Sequence, residues 1–409
     1  MLAYIFGVVL FALGICVSVA LHEAGHMVTA KWFGMKVRRY FVGFGPTVFS
    51  FRRGETEYGL KWIPLGGFCD IAGMTALDEV TPEESPRAMW RFKTWKRTVV
   101  MVAGSVTHFL LGFIVLYLMA ATMGLPNITG TPQVAAVSNC VQDARTTDQV
   151  SNPQCRPGDA APAKSADLRA GDEIVSVNGT ATKTYADVID IIQRASGPTN
   201  LVVDRDGAMV PLVVDVPQVD RPVRRADAPA DAPPEIAKTG SIGVTFPKMF
   251  EYNAATAFGG ATAFTGDMFV QTWQRLIEFP ERIPAVVSSI FGGERDPNTP
   301  VSVVGASRIG GEAVEQGLWE LFLLLLASLN FFIGVFNLLP LLPLDGGHIA
   351  VVWYERVRDW LRKLRGKAAG GPVDYTKLSA VTVVLVLIGG AVTLLTITAD
   401  IVNPIRISQ

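Results

Sequence analysis

Two histidines and a glutamate near the N-terminus have the spacing of a group that binds a metal and transfers a proton. They lie in the run Leu21-His22-Glu23-Ala24-Gly25-His26. On a helix, His22 and His26 are four residues apart, so both imidazoles leave one face about a turn apart. That spacing suits two nitrogen ligands for one Zn²⁺, with Glu23 beside them as the acceptor of a proton from water.

The alternative is a chance match on a soluble helix. The run, however, ends a strongly apolar stretch that begins at Leu2. Ionisable side chains on an apolar helix of membrane length are costly without partners, and they therefore indicate a functional site.

The composition agrees with a membrane protein. The chain has 409 residues, of which 49% are hydrophobic and 18% charged, and its mean hydropathy is +0.33. This balance predicts several spans plus a polar domain. The net charge of -1 gives no indication of nucleic-acid binding, and four cysteines do not make a disulfide scaffold. The first apolar stretch lacks a basic leader and a small-residue cleavage site, so we interpret it as a retained span.

Basic residues predict the orientation of four apolar stretches that are long enough to cross a bilayer. Lys and Arg are concentrated in the loops 34–97 and 343–377, whereas none occurs between Leu125 and Asp143. The two basic loops are therefore predicted to be cytoplasmic, and both termini extracytoplasmic. His22 and His26 would then lie toward the cytoplasmic side.

The resulting plan has eight segments. They are 1–33 (first transmembrane helix), 34–97 (cytoplasmic loop with a membrane-associated β-hairpin), 98–125 (second transmembrane helix), 126–247 (extracytoplasmic domain), 248–317 (extracytoplasmic membrane-proximal region), 318–342 (third transmembrane helix), 343–377 (cytoplasmic loop) and 378–409 (fourth transmembrane helix and outer C-terminus).

Three stretches between the spans have patterns of their own. Alternating apolar residues predict a β-hairpin over 40–63, which either rests on the membrane surface or offers an edge strand to an extended substrate. The Pro-, Ala-, Asp- and Arg-rich residues 218–238 predict a flexible insertion or linker. Residues 251–293 mix helical apolar spacing with Gly and Pro breaks, as a segment along the outer membrane surface would.

Cysteine positions predict one disulfide. Cys140 and Cys155 both fall in the outer segment, where an oxidising compartment permits pairing.

Tetrahedral zinc needs a third protein ligand, and Asp345 is the best candidate. It follows Pro340 and Pro343, which break the third span, and it precedes paired glycines that allow close backbone approach. Asp345 could instead be a helix cap. His348 is expected to orient its neighbours, although it stays open as a ligand.

Three further polar residues lie within the spans. Asn330 and Asn337 are seven residues apart, hence on one face, and could bind an extended peptide or steady an oxyanion. Interhelical hydrogen bonding is the competing interpretation. His108 is expected to be a satisfied packing residue of the second span.

At these residues the chain resembles the site-2 protease family of intramembrane zinc metalloproteases, the group of the bacterial regulator-of-sigma-E protease. It is most similar to actinobacterial members with four spans and one PDZ domain. The resemblance rests on the following motifs: His22-Glu23-Ala24-Gly25-His26, Gly43-Phe44-Gly45-Pro46, Asn337-Leu338-Leu339-Pro340 and Leu344-Asp345-Gly346-Gly347-His348. Residues 168–179 resemble a strand and turn of the family's PDZ domain, and residues 300–305 its segment before the third span.

The resemblance implies that His22, His26 and Asp345 are zinc ligands, that Glu23 is the catalytic acid and base, and that 40–63 clamps the substrate. It also implies that 126–247 is PDZ-like. One departure is the second span, where Gly104-Ser105-Val106-Thr107-His108 stands in place of the family's usual Gly-Pro followed by Asn.

The sequence thus predicts an α-helical polytopic membrane protein with four transmembrane helices, a membrane-associated β-hairpin and one α+β PDZ-like extracytoplasmic domain. We expect a zinc-dependent endopeptidase of the cell membrane that binds one Zn²⁺ per chain. Its partners would be the lipid bilayer and single-span membrane proteins, anti-sigma factors above all, and not nucleic acid. The alternatives are a zinc transporter, for which the sequence shows no repeats, and a PDZ scaffold with a vestigial metal site, which an intact Glu23 disfavours.

Overall fold

The chain divides into two compact units. The computed structural model describes residues 1–75, 78–151, 153–223, 235–371 and 373–407. Met1–Met123 and Tyr252–Gln409 form the first unit, and Gly124–Glu251 forms the second.

The described residues contain ten α-helices. They are α1 (Leu2–Trp32), α2 (Thr94–Thr122), α3 (Thr147–Ser151), α4 (Pro162–Ser165), α5 (Tyr185–Arg194), α6 (Ala257–Ile290), α7 (Val303–Glu315), α8 (Trp319–Asn337), α9 (Asp345–Leu364) and α10 (Tyr375–Val402).

Four of these helices are long and apolar enough to cross a membrane, namely α1, α2, α8 and the Leu378–Val402 part of α10. Their apolar side chains are exposed as well as buried; Ile5, Leu110 and Leu387 are each at least half exposed. Such surfaces are stable when lipid tails cover them, and a helix satisfies its own backbone there. The first unit is therefore the framework of a multi-pass membrane protein.

Twelve strands occur among the described residues. They are β1 (Val37–Arg53), β2 (Thr56–Ile71), β3 (Leu125–Pro126), β4 (Ala136–Val137), β5 (Glu173–Val177), β6 (Thr180–Ala181), β7 (Gly197–Arg205), β8 (Ala208–Val216), β9 (Gln218–Val223), β10 (Glu235–Gly240), β11 (Val244–Thr245) and β12 (Met249–Phe250).

The hairpin of β1 and β2 is longer than the predicted 40–63 and folds back on itself. Tyr40 pairs with Tyr58 on one side and with Cys69 on the other, and Phe41 likewise pairs with Gly59 and Phe68. The beginning of β1 is thus a central strand, and the end of β2 is an edge. Within the described part of the chain, no other strand pairs with that edge.

The second unit is built around a four-stranded antiparallel sheet with the order β6-β5-β7-β8. Alternate residues of these strands, such as Ile174 and Val203, are fully buried against Val188 and Ile192 of α5. The Thr184 hydroxyl accepts a bond from the Asp187 N–H, and the Asp187 carboxylate accepts one from the Thr184 N–H. This capping box explains where α5 begins.

Part of the predicted linker 218–238 is ordered sheet, so that interpretation was wrong at its two ends. β9 and β10 pair antiparallel, with Gln218 opposite Gly240 and Val223 opposite Glu235. Residues 224–234 lie outside the described residues. The composition indicated a linker, whereas backbone pairing orders the residues at its two ends.

Two further segments are more helical than the sequence indicated. Residues 257–290 form the single helix α6 with Pro280 and Pro284 inside it, where breaks were expected. The predicted loop 343–377 contains the 20-residue helix α9. Asp345 is the first residue of α9, so the metal-ligand candidate is carried by a rigid element rather than by a loop.

Candidate metal centre

α1 places the two histidines of the motif side by side, as the four-residue spacing predicts. Their ring centroids are 4.7 Å apart, and the two Nε2 atoms are 3.1 Å apart. Both side chains are buried, at 9% and 8% exposure.

The beginning of α9 brings Asp345 to this pair. Its Oδ2 atom lies 3.3 Å from Nε2 of His22 and 3.3 Å from Nε2 of His26. Gly346 makes this approach possible, because a Cβ there would overlap the Leu338 carbonyl of the preceding turn. The turn after α8 and the start of α9 therefore close tightly, and they aim the Asp345 carboxylate at α1.

A backbone carbonyl sets the protonation of one histidine. The Nδ1 atom of His26 lies 2.7 Å from the Val100 carbonyl of α2. A carbonyl only accepts hydrogen bonds, so Nδ1 carries the proton, and in the neutral ring Nε2 keeps its lone pair. This is the outer hydrogen bond that orients histidine ligands of metals.

The arrangement fits a bound metal ion. Nε2 of His22, Nε2 of His26 and Oδ2 of Asp345 form a triangle with sides of 3.1, 3.3 and 3.3 Å. Ligand atoms about 2.1 Å from a tetrahedral zinc would be about 3.4 Å apart. Asp345 Oδ2 is buried without a hydrogen bond among the described residues. Two imidazole nitrogens and a carboxylate oxygen that converge in one place can hold a cation between them, and two His with one carboxylate is a catalytic zinc set.

Glycine 104 of α2 makes room for this group. A Cβ at that position would lie 2.5 Å from Cε1 of His22 and 2.5 Å from Nε2 of His26. Real Cβ atoms do not approach so closely, so any larger residue would displace the rings. Sequence reasoning missed this role, because it treated the stretch beginning at Gly104 only as a departure from a motif; a glycine inside a spanning helix was the available signal.

Glu23 lies next to the metal group and under the hairpin. A Cβ on Gly67 of β2 would be 3.1 Å from Cγ of Glu23, so this strand passes directly over the glutamate. The Tyr40 hydroxyl, in β1, donates to the Ala20 carbonyl of α1 at 2.7 Å and so attaches the hairpin to the helix. The strand beside Glu23 therefore belongs to residues 67–71, outside the predicted 40–63.

Asn330 and His108 are joined to each other. Nδ1 of His108 lies 2.9 Å from Oδ1 of Asn330, and Nδ2 of Asn330 donates to the Leu326 carbonyl at 2.8 Å. The asparagine thus forms an interhelical hydrogen bond between α2 and α8. His108 is nearly fully buried, and its ring centroid is 5.0 Å from that of His22, so it borders the metal group instead of only packing in α2.

The remaining candidates are not members of the triangle. Asn337 is the half-buried last residue of α8. His348 has its ring centroid 6.1 Å from that of Tyr375 and is not one of the convergent ligand atoms. In the second unit, Cys140 and Cys155 form a disulfide with a Cα–Cα distance of 5.6 Å.

Comparisons with known proteins agree with this geometry. The model of peptidase family M50 matches residues 10–381. The zinc metalloprotease Rip1 of Mycolicibacterium smegmatis is 48% identical over 409 residues, covering 98% of this chain and 99% of its own. The zinc metalloprotease Rip1 of Mycobacterium tuberculosis is 46% identical over 411 residues, covering 99% of this chain and 100% of its own. The match spans both halves of the metal group, and the chain therefore belongs to peptidase family M50, the site-2 proteases, and is a metalloprotease.

Proposed function

We propose that this protein is a zinc-dependent endopeptidase that cleaves its substrates within or close to their membrane-spanning segments. The observation that carries the proposal is the triangle of His22, His26 and Asp345, in which the candidate membrane helix α1 supplies both histidines and the start of α9 supplies the carboxylate. His22, His26 and Asp345 would hold one Zn²⁺ per chain. The names of the related zinc metalloproteases support the choice of metal.

The residues around the triangle have separate roles in hydrolysis of the peptide bond. A bound zinc ion supplies Lewis-acid polarisation of the scissile carbonyl. The Glu23 carboxylate accepts the proton of the attacking water and delivers it to the nitrogen of the leaving amine, so the proton that enters at Glu23 leaves with the product. The Val100 carbonyl keeps His26 in the tautomer that a ligand needs.

The edge of the hairpin offers a place for the substrate chain. A helical segment has its amides bonded internally, so its backbone must become extended before a peptide bond can reach the site. Residues 67–71 pass over Glu23, and among the described strands none covers their outer edge. Strand addition there would satisfy the backbone groups that unwinding exposes. Asn337, at the end of α8, is proposed as a further substrate contact.

A direct experiment tests the proposal as a whole. The purified full chain in detergent should contain about one zinc per chain by elemental analysis and should cleave a model single-span protein. A chelator should remove the zinc and abolish cleavage, and added Zn²⁺ should restore the zinc content and the cleavage. Stoichiometric zinc without cleavage of any single-span substrate would contradict the protease assignment, and cleavage that persists without metal would contradict the zinc assignment.

The strand-edge proposal has its own test. A proline in place of Cys69 removes the backbone donor on the side of β2 that faces Glu23, whereas Cys69→Ala retains it. Cleavage should fall in the proline variant and not in the alanine variant, with zinc content equal in both. Equal cleavage by the two variants would exclude pairing at this edge.

We further propose that Gly124–Glu251 is a PDZ-like extracytoplasmic domain that restricts access to the site. Its four-stranded sheet, its helix α5 and its disulfide support an oxidising compartment and a small recognition domain. Deleting residues 131–247 should leave zinc bound and permit cleavage of untrimmed substrates, such as intact anti-sigma factors. Loss of all cleavage in a folded, zinc-containing deletion variant would contradict the gating role.

The disulfide gives a test of orientation, with the metal group toward the cytoplasmic side and both termini outside. Alkylation of native membranes without reduction, followed by mass spectrometry, should find Cys140 and Cys155 unmodified and joined. Finding both as free thiols would contradict an outer location for this unit.

A further inference from the structure

The helix that begins with Asp345 exposes an apolar stripe along its second half. The stripe consists of six side chains that are 41–67% exposed: Trp353, Tyr354, Val357, Trp360, Leu361 and Leu364. Their spacing of three and four residues places them on one face of α9. Yet α9 is not one of the four helices apolar enough to span a membrane. A contiguous aromatic and aliphatic face on such a helix indicates an interaction surface.

The charges that accompany the stripe are positive and unpaired. Four exposed cations lie on its flank or directly after the helix: Arg356, Lys363, Arg365 and Lys367. None of the four has an ion-pair partner among the residues that the structure describes. The surface is thus an apolar stripe bordered by basic side chains that form no ion pair among the described residues.

The two acidic residues in the second half of the same helix have partners within the protein. Glu355 accepts a hydrogen bond from the Val373 N–H at 2.8 Å and lies 3.5 Å from Arg97. Asp359 accepts from the Gly370 N–H at 3.0 Å and pairs with Arg358. The face that remains open therefore complements an anionic partner.

Contacts with α2 locate the stripe at the end of the apolar helices. The Trp353 indole donates to the Thr98 hydroxyl at 3.1 Å, one turn from the start of α2. Trp95 in that turn and Trp32 at the end of α1 are both more than half exposed. Exposed tryptophans at the ends of spanning helices mark the boundary between lipid tails and headgroups. α9 therefore runs from the buried metal group to this boundary.

We propose that the second half of α9 is an interfacial helix that binds anionic phospholipids of the bilayer, and that this docking holds Asp345 in register with His22 and His26. An apolar face with basic flanks is the composition of helices that lie in the headgroup region. One continuous helix joins Asp345 to Leu364, so displacement of its outer half moves the carboxylate at its start. The positioning of Asp345 rests on the proposed zinc function, whereas the binding of anionic lipid does not.

Hydrogen exchange of the full chain in lipid nanodiscs tests the docking without any metal. Amides of residues 353–364 are compared in discs of phosphatidylcholine alone and in discs that also contain phosphatidylglycerol. Exchange should be slower with the anionic lipid by at least about fivefold, which is the effect of a single cation near such a surface. The amides of α5, in the other unit, should exchange equally in both discs.

Matched charge variants identify the cause. Neutralising Arg356, Lys363, Arg365 and Lys367 to Gln should abolish the lipid-dependent slowing. Neutralising four exposed cations of the second unit, Arg145, Arg156, Lys183 and Lys238, should preserve it. Equal exchange in the two lipids, or slowing that survives the α9 variant, would overturn the proposal. Slowing that occurs only in discs holding two chains would assign the stripe to a second copy and overturn it as well.

The link to Asp345 has a separate readout. Zinc affinity of the wild-type chain should be higher in the anionic discs, and the α9 charge variant should lose this gain while still binding zinc. Lipid-dependent exchange with lipid-independent zinc affinity would overturn only the coupling. A chain that binds no zinc in either disc would contradict the proposed function, and it would leave the exchange result standing.

Discussion

The Asp172 side chain and the Oδ2 atom of Asp345 are buried in the two different units, and their surroundings are opposite. Asp172 accepts hydrogen bonds from Nε and Nη2 of Arg205, both at 2.7 Å, and from the Arg169 N–H at 2.8 Å. Burial alone would raise the pKa of Asp172, but these donors hold it below its usual range. Asp345 instead faces two imidazole nitrogens and has no hydrogen bond to Oδ2 within the described residues.

The difference separates a structural carboxylate from a functional one. A buried charge that is saturated by donors stabilises the arrangement in which it is found, and it needs nothing from outside. A buried charge aimed at other lone pairs is incomplete until a cation arrives. The same criterion classifies a third carboxylate, since Asp400 is paired with Arg295 at 2.8 Å and accepts from the Ser302 N–H at 2.7 Å.

Glu23 is expected to transfer protons without binding the metal, and its substitution should have the strongest effect on cleavage. Glu23→Gln keeps the shape of the side chain and removes its capacity to accept a proton. Cleavage of a model single-span protein should fall by roughly two to four orders of magnitude, with zinc content unchanged. Normal cleavage by this variant would remove Glu23 from the mechanism.

Asp345→Asn tests the carboxylate of the metal group. A neutral amide replaces a charged oxygen, so zinc affinity should fall by at least about 100-fold, because even outer-shell partners of ligands contribute 10–100-fold. The measurement is competition for zinc with a chelator in detergent. Full retention of zinc here, together with loss in His348→Ala, would make His348 the third ligand.

Asp172→Asn tests the structural carboxylate of the second unit. The free energy of unfolding of the second unit should fall by about 1.5–3 kcal/mol, the usual contribution of hydrogen bonds to a charged group, and zinc affinity should not change. Because the folded pKa of Asp172 is lowered, its stabilisation is present above the unfolded value near about 3.9 and is lost as the pH falls through the folded value. Acid unfolding of this unit, detected by its susceptibility to proteolysis, measures the free energy of unfolding and its dependence on pH. The variant should show a weaker pH dependence than the wild-type chain. A change in zinc affinity of the variant would contradict a purely structural role for Asp172.

Gly104→Ala tests whether α2 confines the two histidine ligands. The added methyl overlaps both imidazoles, and overpacking of this kind costs about 1–3 kcal/mol, so zinc affinity should fall roughly tenfold. Gly389→Ala in α10 is the matched control, because a Cβ there meets nothing within 4 Å. Equal zinc affinity in the two variants would show that α2 does not confine the histidines.

The smallest expected effect is that of His108→Ala. The variant loses the hydrogen bond to Asn330, which contributes about 0.5–1.5 kcal/mol to the free energy of unfolding. Zinc should remain bound, as measured by elemental analysis, while thermal unfolding occurs at a lower temperature. Loss of zinc in this variant would extend the metal group to His108.

The elements that sequence reasoning identified share one property, which is that their signal is local. The positions of His22 and His26 follow from helical periodicity alone. The four apolar helices follow from run length, and the end of α8 before Pro340 follows from the missing N–H groups of proline. Asp345 could be selected as the third ligand because it follows the prolines that break the third span. The predicted topology also places it on the same side of the membrane as His22 and His26.

Other features of the site depend on contacts between distant segments, which only the folded chain brings together. The Val100 carbonyl sets the tautomer of His26, Gly104 shapes the space for the rings, and Gly67 brings the edge of β2 over Glu23. None of these three roles leaves a pattern in the neighbouring sequence, because every residue has a backbone carbonyl and glycines occur in many helices and strands. Their roles arise when helices pack at van der Waals distance, because packing density, and not residue type, then determines which atoms meet.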